Sequence, residues 1–403
     1  MSTSPGLRPE RRRRPKDRKE QIARVSADAF SELGYHGVSM EGIAGRVGVT
    51  AASLYRHYAG KYELFQAAVL ALGSQLVGCT AFVDEDDDTD PALTWDRAVS
   101  QLIDTALKNR TSGGLYRWEG RYLQPDDQAI LNGQIKLVNR RLQRPLMLLR
   151  PQLKSRQRWT LSSSVLSVIG SITDHRAHLP EAQIHAALAR ITSDIRDTDL
   201  PAEGSTGDVV ATFEVGAAAG EYEQILHEAL LLFYERGYRD TGMEDIAAEV
   251  NMPTSSLYKY FSGKGAILAA IYRRAADRVS GDVSATLAAT TNPVEAVEEL
   301  VETFVRRSFA NPQLAYVYYV ERGNVPEQDR IAIHNIQRAT IEAWVRQVVA
   351  ARPDMSAGAA RFAVHAAFAL VVDLSRLMQF ERQEGSRAVV SHLLRTTLLG
   401  NGS

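Results

Sequence analysis

Residues 53–65 read "SLYRHYAGKYELF", and residues 256–268 read "SLYKYFSGKGAIL". Set residues 20–69 on 223–272 and the register holds without a gap at an offset of 203, with eighteen of fifty positions identical. Ile22 falls on Ile225, Phe30 on Phe233, Gly34-Tyr35 on Gly237-Tyr238 and Met40-Glu41 on Met243-Glu244. Ile43-Ala44, Val47, Leu54-Tyr55 and Gly60-Lys61 recur as Ile246-Ala247, Val250, Leu257-Tyr258 and Gly263-Lys264. Further on, "YRWEGRYLQPDD" around Trp118 resembles "VYYVERGNVPEQ" around Tyr319, with Arg121 and Pro125 matching Arg322 and Pro326 at an offset of 201. A period near 200 residues means whole duplicated units, not a solenoid.

Each copy reads as helical throughout. Ile22, Val25, Ala29, Phe30 and Leu33 have the i, i+3, i+4 spacing of one buried helix face. Gly34 can end that helix by taking positive φ. Ser39 suits the N-cap of a short second helix whose Met40, Ile43, Ala44 and Val47 point inward. Gly48-Val49 make a turn, and Thr50 can cap a third helix carrying "AASLYRHY". In the second copy Asn251-Met252 stand at the turn, and Pro253 suits the first position of the next helix. A supporting helix followed by two short helices across a tight turn is a helix-turn-helix. No strand-like alternation of useful length follows either unit, so the fold class is all-α.

The expected organisation is a basic arm at 1–17, a first helix-turn-helix domain at 18–64 and a first helical regulatory domain at 65–197. A linker at 198–220, rich in Gly, Pro, Ser and Thr, leads to a second helix-turn-helix domain at 221–267 and a second regulatory domain at 268–403. A flexible chain of the linker's length spans roughly 25 Å on average and about 75 Å extended, enough to set the copies side by side.

Composition narrows the classes. At 403 residues, with 45% apolar and 24% charged residues, the chain is a multi-domain globular protein. The net charge of −1 supplies no overall field, so binding to nucleic acid must come from local patches. Cys79, the one cysteine, rules out an intrachain disulfide and fits a cytoplasmic setting. The basic N-terminal stretch is not followed by the apolar run of a secretory signal. The longest near-apolar run, "FAVHAAFALVVDL" from Phe362, stops short of a membrane span, so no membrane partner is expected.

These residues resemble, twice, the TetR family of bacterial transcriptional repressors. The family pattern is an apolar helix ending F-x-x-x-G-Y, then I-A-x-x-x-G-V-[ST], then L-Y-x-[HY]-[FY]-x-x-K. The first copy supplies Phe30, Gly34-Tyr35, Ile43-Ala44, Gly48-Val49-Thr50, Leu54-Tyr55, His57-Tyr58 and Lys61. The second supplies Phe233, Gly237-Tyr238, Ile246-Ala247, Leu257-Tyr258, Tyr260-Phe261 and Lys264, but has Asn251-Met252-Pro253 at the turn. The resemblance implies a DNA-binding transcriptional regulator, a repressor released by a small molecule, with double-stranded operator DNA as partner. It implies a helical ligand-binding and dimerisation domain behind each head.

By that similarity the first reading set is Ser39, Thr50, Ala51, Ala52, Ser53, Tyr55, Arg56, His57 and Lys61. Tyr55, His57 and Lys61 would hold phosphates, while Arg56 is the better candidate for a base edge. Leu54 and Tyr58 read as core. The second set is Thr254, Ser255, Ser256, Tyr258, Lys259, Tyr260 and Lys264. Arg11, Arg12, Arg13 and Arg14 form either a solvated tail or an arm entering the adjacent minor groove. Residues 8–69 carry twelve Lys and Arg against seven Asp and Glu, a net +5, whereas residues 221–273 carry five against eight, a net −3. Two unlike readers in one chain predict an internal pseudo-dimer on an asymmetric operator, although a dimer of whole chains is a further possibility. The last two helices of each copy, about 154–176 with 181–197 and 355–381 with 386–399, are expected to pack as a four-helix bundle.

Candidate ligand-pocket residues are Tyr116, Trp118, Tyr122 and Trp159 in the first copy and Tyr316, Tyr319 and Trp344 in the second. An apolar effector of acyl or sterol type is the expectation, with no cofactor and no metal. "DHRAH", Asp174 to His178, gathers possible ligands but reads as surface at a helix end. No phosphate loop and no G-x-S-x-G occurs, so no enzyme is expected. A helical scaffold with only the first unit on DNA is the alternative, and the recurrence of Lys61 as Lys264 with the tyrosines argues against a scaffold that binds none.

Overall fold

The computed structural model describes residues 15–85, 90–201, 220–378 and 385–401, and among these the regular elements are helices. The first copy runs α1 (Pro15–Gly37), α2 (Met40–Val47), α3 (Ala51–Tyr55), α4 (Lys61–Cys79), α5 (Pro91–Lys108), α6 (Leu115–Trp118), α7 (Pro125–Leu149), α8 (Ser155–Gly170) and α9 (Glu181–Asp197). The second runs α10 (Glu221–Glu235), α11 (Met243–Glu249), α12 (Thr254–Leu257), α13 (Lys264–Ala289), α14 (Pro293–Ala310), α15 (Pro312–Val320), α16 (Glu327–Ala351), α17 (Ala357–Leu377) and α18 (Ser386–Leu399). The run Arg11–Arg14 and linker residues 202–219 lie outside the described residues.

Each head packs around its own core. Ile22, Phe30, Ile43, Leu54 and Phe65 are buried together in the first. Ile225, Phe233, Ile246, Leu257 and Leu268, their equivalents at an offset of 203, are buried together in the second. Burying each such side chain contributes about 1.5–3 kcal/mol, which explains why these positions repeat.

The bodies share one core. Leu161 and Val165 of α8, Leu188 and Ile191 of α9, Phe362 and Leu370 of α17, and Leu394 and Leu398 of α18 belong to a single buried cluster. α8 and α9 pack on each other and on α17, and α18 packs on both α9 and α17. At 21 residues, α17 is longer than its apolar run suggested and is long and apolar enough to cross a membrane by length and composition. Its apolar side chains are instead buried in this cluster.

Two local expectations are corrected. Pro253 is the cap residue before α12, not its first residue, and its ring offers no acceptor, so that helix starts without a side-chain cap. Beyond the heads the copies correspond at 202 rather than 201. Pro91 and Pro293 both open a helix, and the 3-10 turns Gly120–Tyr122 and Arg322–Asn324 match at that offset. Arg121 and Arg322 are therefore one residue out of structural register.

Candidate nucleic-acid interface and effector cavity

The first reader is built by its caps. Ser39 accepts the Gly42 N–H at 3.0 Å to start α2, and Gly48 ends it at φ 74. Thr50 Oγ1 accepts the Ser53 N–H at 3.2 Å and starts α3. Leu54 and Tyr58 face inward as expected, the Tyr58 hydroxyl donating to the Lys19 carbonyl at 3.1 Å. That leaves Thr50, Ala52, Tyr55 and Arg56 exposed on one surface, with Ala51, Ser53 and His57 half-buried beside them and Ser39 exposed at the head of α2. In the second reader Asn251 takes Gly48's place in the left-handed region at φ 54, which asparagine tolerates better than other side chains. Ser255, Tyr258, Lys259 and Tyr260 are exposed, with Thr254 and Ser256 half-buried. The Tyr260 hydroxyl donates to the Glu221 carboxylate.

Lys61 and Lys264 do something the sequence did not disclose. Lys61 Nζ donates to the Val38 carbonyl at 3.2 Å and lies 4.6 Å from the Tyr35 ring centroid. Lys264 Nζ donates to the carbonyls of Tyr238, Arg239 and Thr241 at 2.8, 3.1 and 2.9 Å and lies 4.7 Å from the Tyr238 ring. Both ammoniums satisfy orphan carbonyls after the first helix of their head. Burial lowers both pKa values, with Arg239 adding to the effect. Their recurrence thus follows from the fold of the head.

The first unit's charge is also more local than the head. Residues 8–18 hold seven Lys and Arg against two Asp and Glu, while residues 19–69 hold five of each. All of the +5 lies in the basic stretch, and the helix-turn-helix itself is neutral.

Head and body are joined by carboxylates. Glu119 Oε2 accepts the Tyr35 N–H at 2.8 Å, just after the left-handed Gly34. Glu321 Oε1 accepts the Tyr238 N–H at 3.2 Å, just after the left-handed Gly237. Burial raises the Glu119 pKa against the pull of that N–H and of Arg121. Arg121 of the first copy donates to Glu321 at 2.8 Å, so the first body touches the anchor of the second head. A cavity of about 110 Å³ lies at this junction, lined by Trp118, Tyr122 and Tyr319 among others.

The "DHRAH" segment is not surface at its start. Asp174 Oδ2 pairs with Arg117 at 2.8 Å and Oδ1 accepts the Trp118 indole N–H at 2.9 Å. The same guanidinium pairs with Asp373 of the second copy at 2.5 Å, and Ser167 donates to that carboxylate at 2.7 Å. His175 is 6% exposed and stacks on His365 with centroids 4.0 Å apart. The segment follows α8 into the seam between the copies, which is why a helix end here is buried.

A larger cavity, about 260 Å³, lies between α13, α14, α15, α16 and α17 of the second copy, with Asp174 of the first copy in its lining. Of the seven candidate pocket residues only Tyr319 lines it. Tyr116, Trp159, Tyr316 and Trp344 line neither cavity. Trp344 stands behind the wall against Phe304 and Phe368, and Tyr316 packs on Tyr234. Trp159 and Tyr116 pack on the body core and the first head core. The residues that do line it and were not anticipated include Ala275, Val279 and Arg278, and small side chains leave no periodic signal distinct from core. Asp104, Glu181 and His185 lie close enough to share an ion, although exposed acidic groups commonly cluster without one.

The bacterial regulatory proteins of the tetR family match this chain twice, over residues 22–68 and 225–271. The HTH-type transcriptional activator FasR of Mycolicibacterium smegmatis is 38% identical over 58 residues, which are 14% of this chain and 26% of that protein. The Staphylococcus aureus biofilm operon icaADBC negative transcriptional regulator IcaR is 26% identical over 106 residues, 26% of this chain and 55% of that protein. The chain thus spans well under two thirds of each of these relatives. The solved ketosteroid transcriptional regulator KstR2 of Mycobacterium tuberculosis is similar at a TM-score of 0.41 and 20% identity, over 47% of this chain and 96% of that one. The two matched segments coincide with the two capped helix-turn-helix heads, so the chain carries two tetR-family helix-turn-helix units in tandem.

Proposed function

We propose that the chain is a transcriptional repressor that reads an asymmetric operator with two unlike heads held on one body, and that an apolar effector releases it. The observation that carries this is the pair of exposed reading surfaces of different chemistry. Thr50, Ala52, Tyr55 and Arg56 stand in one head, and Ser255, Tyr258, Lys259 and Tyr260 in the other. A helix in the major groove reads base edges through such N-terminal side chains. Arg56 and Lys259 carry the base-edge contacts, and Tyr55, His57, Tyr258 and Tyr260 fix register on phosphates. Arg11–Arg14 enter the minor groove beside the first head and supply its positive charge. The shared body core supports the internal pseudo-dimer. Fusion replaces a bimolecular encounter by an intramolecular one, at an effective concentration near millimolar for a short flexible tether. The apolar walls of the second cavity support an effector of acyl or sterol type.

The test is a footprint on genomic fragments that the purified chain retains. Two dissimilar half-sites are expected, with Arg56→Ala weakening protection at one and Lys259→Ala at the other. The excess of acidic residues in the second unit favours a second reading, in which only the first head contacts DNA. Protection unchanged by Lys259→Ala selects that reading, and a perfect inverted repeat protected equally on both sides overturns the asymmetric one.

A further inference from the structure

The two copies are packed differently where the second has its cavity. Register within the α4 and α13 helices is gap-free from Lys61 and Lys264 onward, so Leu72 corresponds to Ala275, Gly73 to Ala276, Gln75 to Arg278 and Leu76 to Val279. In the second copy Ala275, Ala276, Arg278 and Val279 all line the cavity. In the first, Leu72 is buried in the head core and Leu76 packs on the body core. Gln134 of α7 lies directly on Gly73, where any added Cβ would overlap its amide, and donates to the Leu70 carbonyl and the Ser74 hydroxyl at 3.4 and 3.0 Å. Gln75 is held by Asn109 at 2.8 Å. Leucines at two of these four positions, and the Gln134 amide laid on Gly73, thus fill in the first copy the wall that stands back in the second.

The second cavity is also charged in one sense. Phe304, Leu314, Ile341 and Phe368 give it apolar walls, while Arg278, Arg307 and Arg322 contribute guanidiniums. Arg307 pairs with Asp282 at 2.8 and 2.6 Å, and Arg322 reaches the Asp174 carbonyl at 3.3 Å. The one carboxylate in the lining, Asp174, is already committed to Arg117. Burial lowers the Arg278 pKa, with the charges of Arg274 and Arg307 adding to the effect and Glu223 opposing it. An anion placed against the Arg278 guanidinium in this lining would act in the same sense as Glu223.

We propose that the chain holds one effector site, in the second unit alone, and that it takes an apolar molecule bearing an anionic group set against Arg278. This deepens the reading of the chain as an effector-responsive regulator and rests on it. The site's wall includes Tyr319, which stacks on Trp118 of the first copy at 4.9 Å, and Arg322, one residue from the Glu321 that holds the second head. An occupant therefore touches both the seam and the neck of the second head.

The probe is cis-parinaric acid, a polyene carboxylate whose fluorescence rises in apolar surroundings, titrated into the full chain without DNA. One equivalent per chain is expected. Ala275→Leu with Val279→Leu, which transplants the first copy's side chains, should weaken binding about tenfold or more while leaving the melting temperature at or above that of the parent. Arg278→Met should weaken the acid about tenfold and leave its methyl ester unchanged. Two equivalents per chain, no binding at all, or affinity indifferent to the leucine pair overturns the single site. Equal binding of acid and ester by the parent chain overturns the anionic group. A chain that shifts DNA yet takes up no probe sinks this inference alone, whereas one that takes up the probe and binds no DNA sinks the regulator reading alone.

Discussion

Arg117 keeps only 8% of its side chain exposed while it pairs with two carboxylates from different copies, Asp174 and Asp373. Its guanidinium packs on the bare Cα of Gly170, where a Cβ would lie 3.1 Å away. Removing one partner of a buried ion cluster costs about 3–5 kcal/mol, because the remaining charges stay buried and unpaired. Arg117→Met should destabilise the chain by that order in urea denaturation, and adding Asp174→Asn with Asp373→Asn should restore much of the loss. The stacked histidines give a pH test. Burial and the charges of Arg110, Arg176 and Arg361 lower the pKa of His175 to about 2 and of His365 to about 4, against the pull of Glu342 on the latter. A folded pKa below the unfolded value of 6.5 means the folded state resists protonation. Stability is therefore whole above pH 6.5 and falls as pH drops toward the folded values, by up to about 1.4 kcal/mol per pH unit per ring. Between pH 6.5 and 5, His365→Leu should show a shallower loss than the parent chain, and an equal slope would remove the pair from the account. None of this was legible in the sequence. Arg117 and Asp373 are 256 residues apart, and a polar residue at a helix end carries no mark of the partner copy that buries it.

At the scale of elements the heads were readable, because apolar spacing, glycine turns and capping side chains all act within a few residues. Ser39, Gly48 and Thr50 cap and turn as their chemistry dictates. The divergent turn of the second head is instructive, since Asn251 reproduces the left-handed backbone of Gly48 while Pro253 fails to reproduce the Thr50 cap. Thr50→Ala should cost about 1 kcal/mol of stability, and Asn251→Gly should raise it by a few tenths to about 1 kcal/mol, both read from thermal melts. A destabilising Asn251→Gly would mean that the side chain, and not merely its tolerance of positive φ, holds that turn. The lysines show what element-level reading leaves out. The family resemblance implies a phosphate contact for Lys61, and the geometry adds backbone partners, the carbonyl of Val38 for Lys61 and that of Tyr238 for Lys264. The cavity was missed for a related reason: aromatic residues such as Trp344 announce themselves but fill space, while Ala275 and Ala276, which leave space, look like ordinary helix formers.

For the whole molecule, duplication was plain in the sequence, but the manner in which the copies join was only an expectation from the family. The bodies share a buried cluster through α8, α9, α17 and α18, and the Arg121–Glu321 pair carries contact from the first body to the second head. The heads also approach each other, since a Cβ on Gly37 would lie 3.3 Å from the Arg239 guanidinium. If the apolar seam holds the halves together, the tether matters for concentration and not for geometry. Cutting the chain by an engineered protease site within residues 202–219 should then leave two fragments that co-elute at micromolar concentration and protect the same half-sites. On dilution the cut protein should lose operator affinity in proportion to fragment dissociation, whereas the intact chain keeps a concentration-independent half-saturation. Gel shifts across a dilution series of cut and uncut protein make the comparison. Fragments that separate at micromolar concentration would show that the seam is too weak to hold two heads in register, and fragments that bind DNA equally at every dilution would show that the heads act without each other.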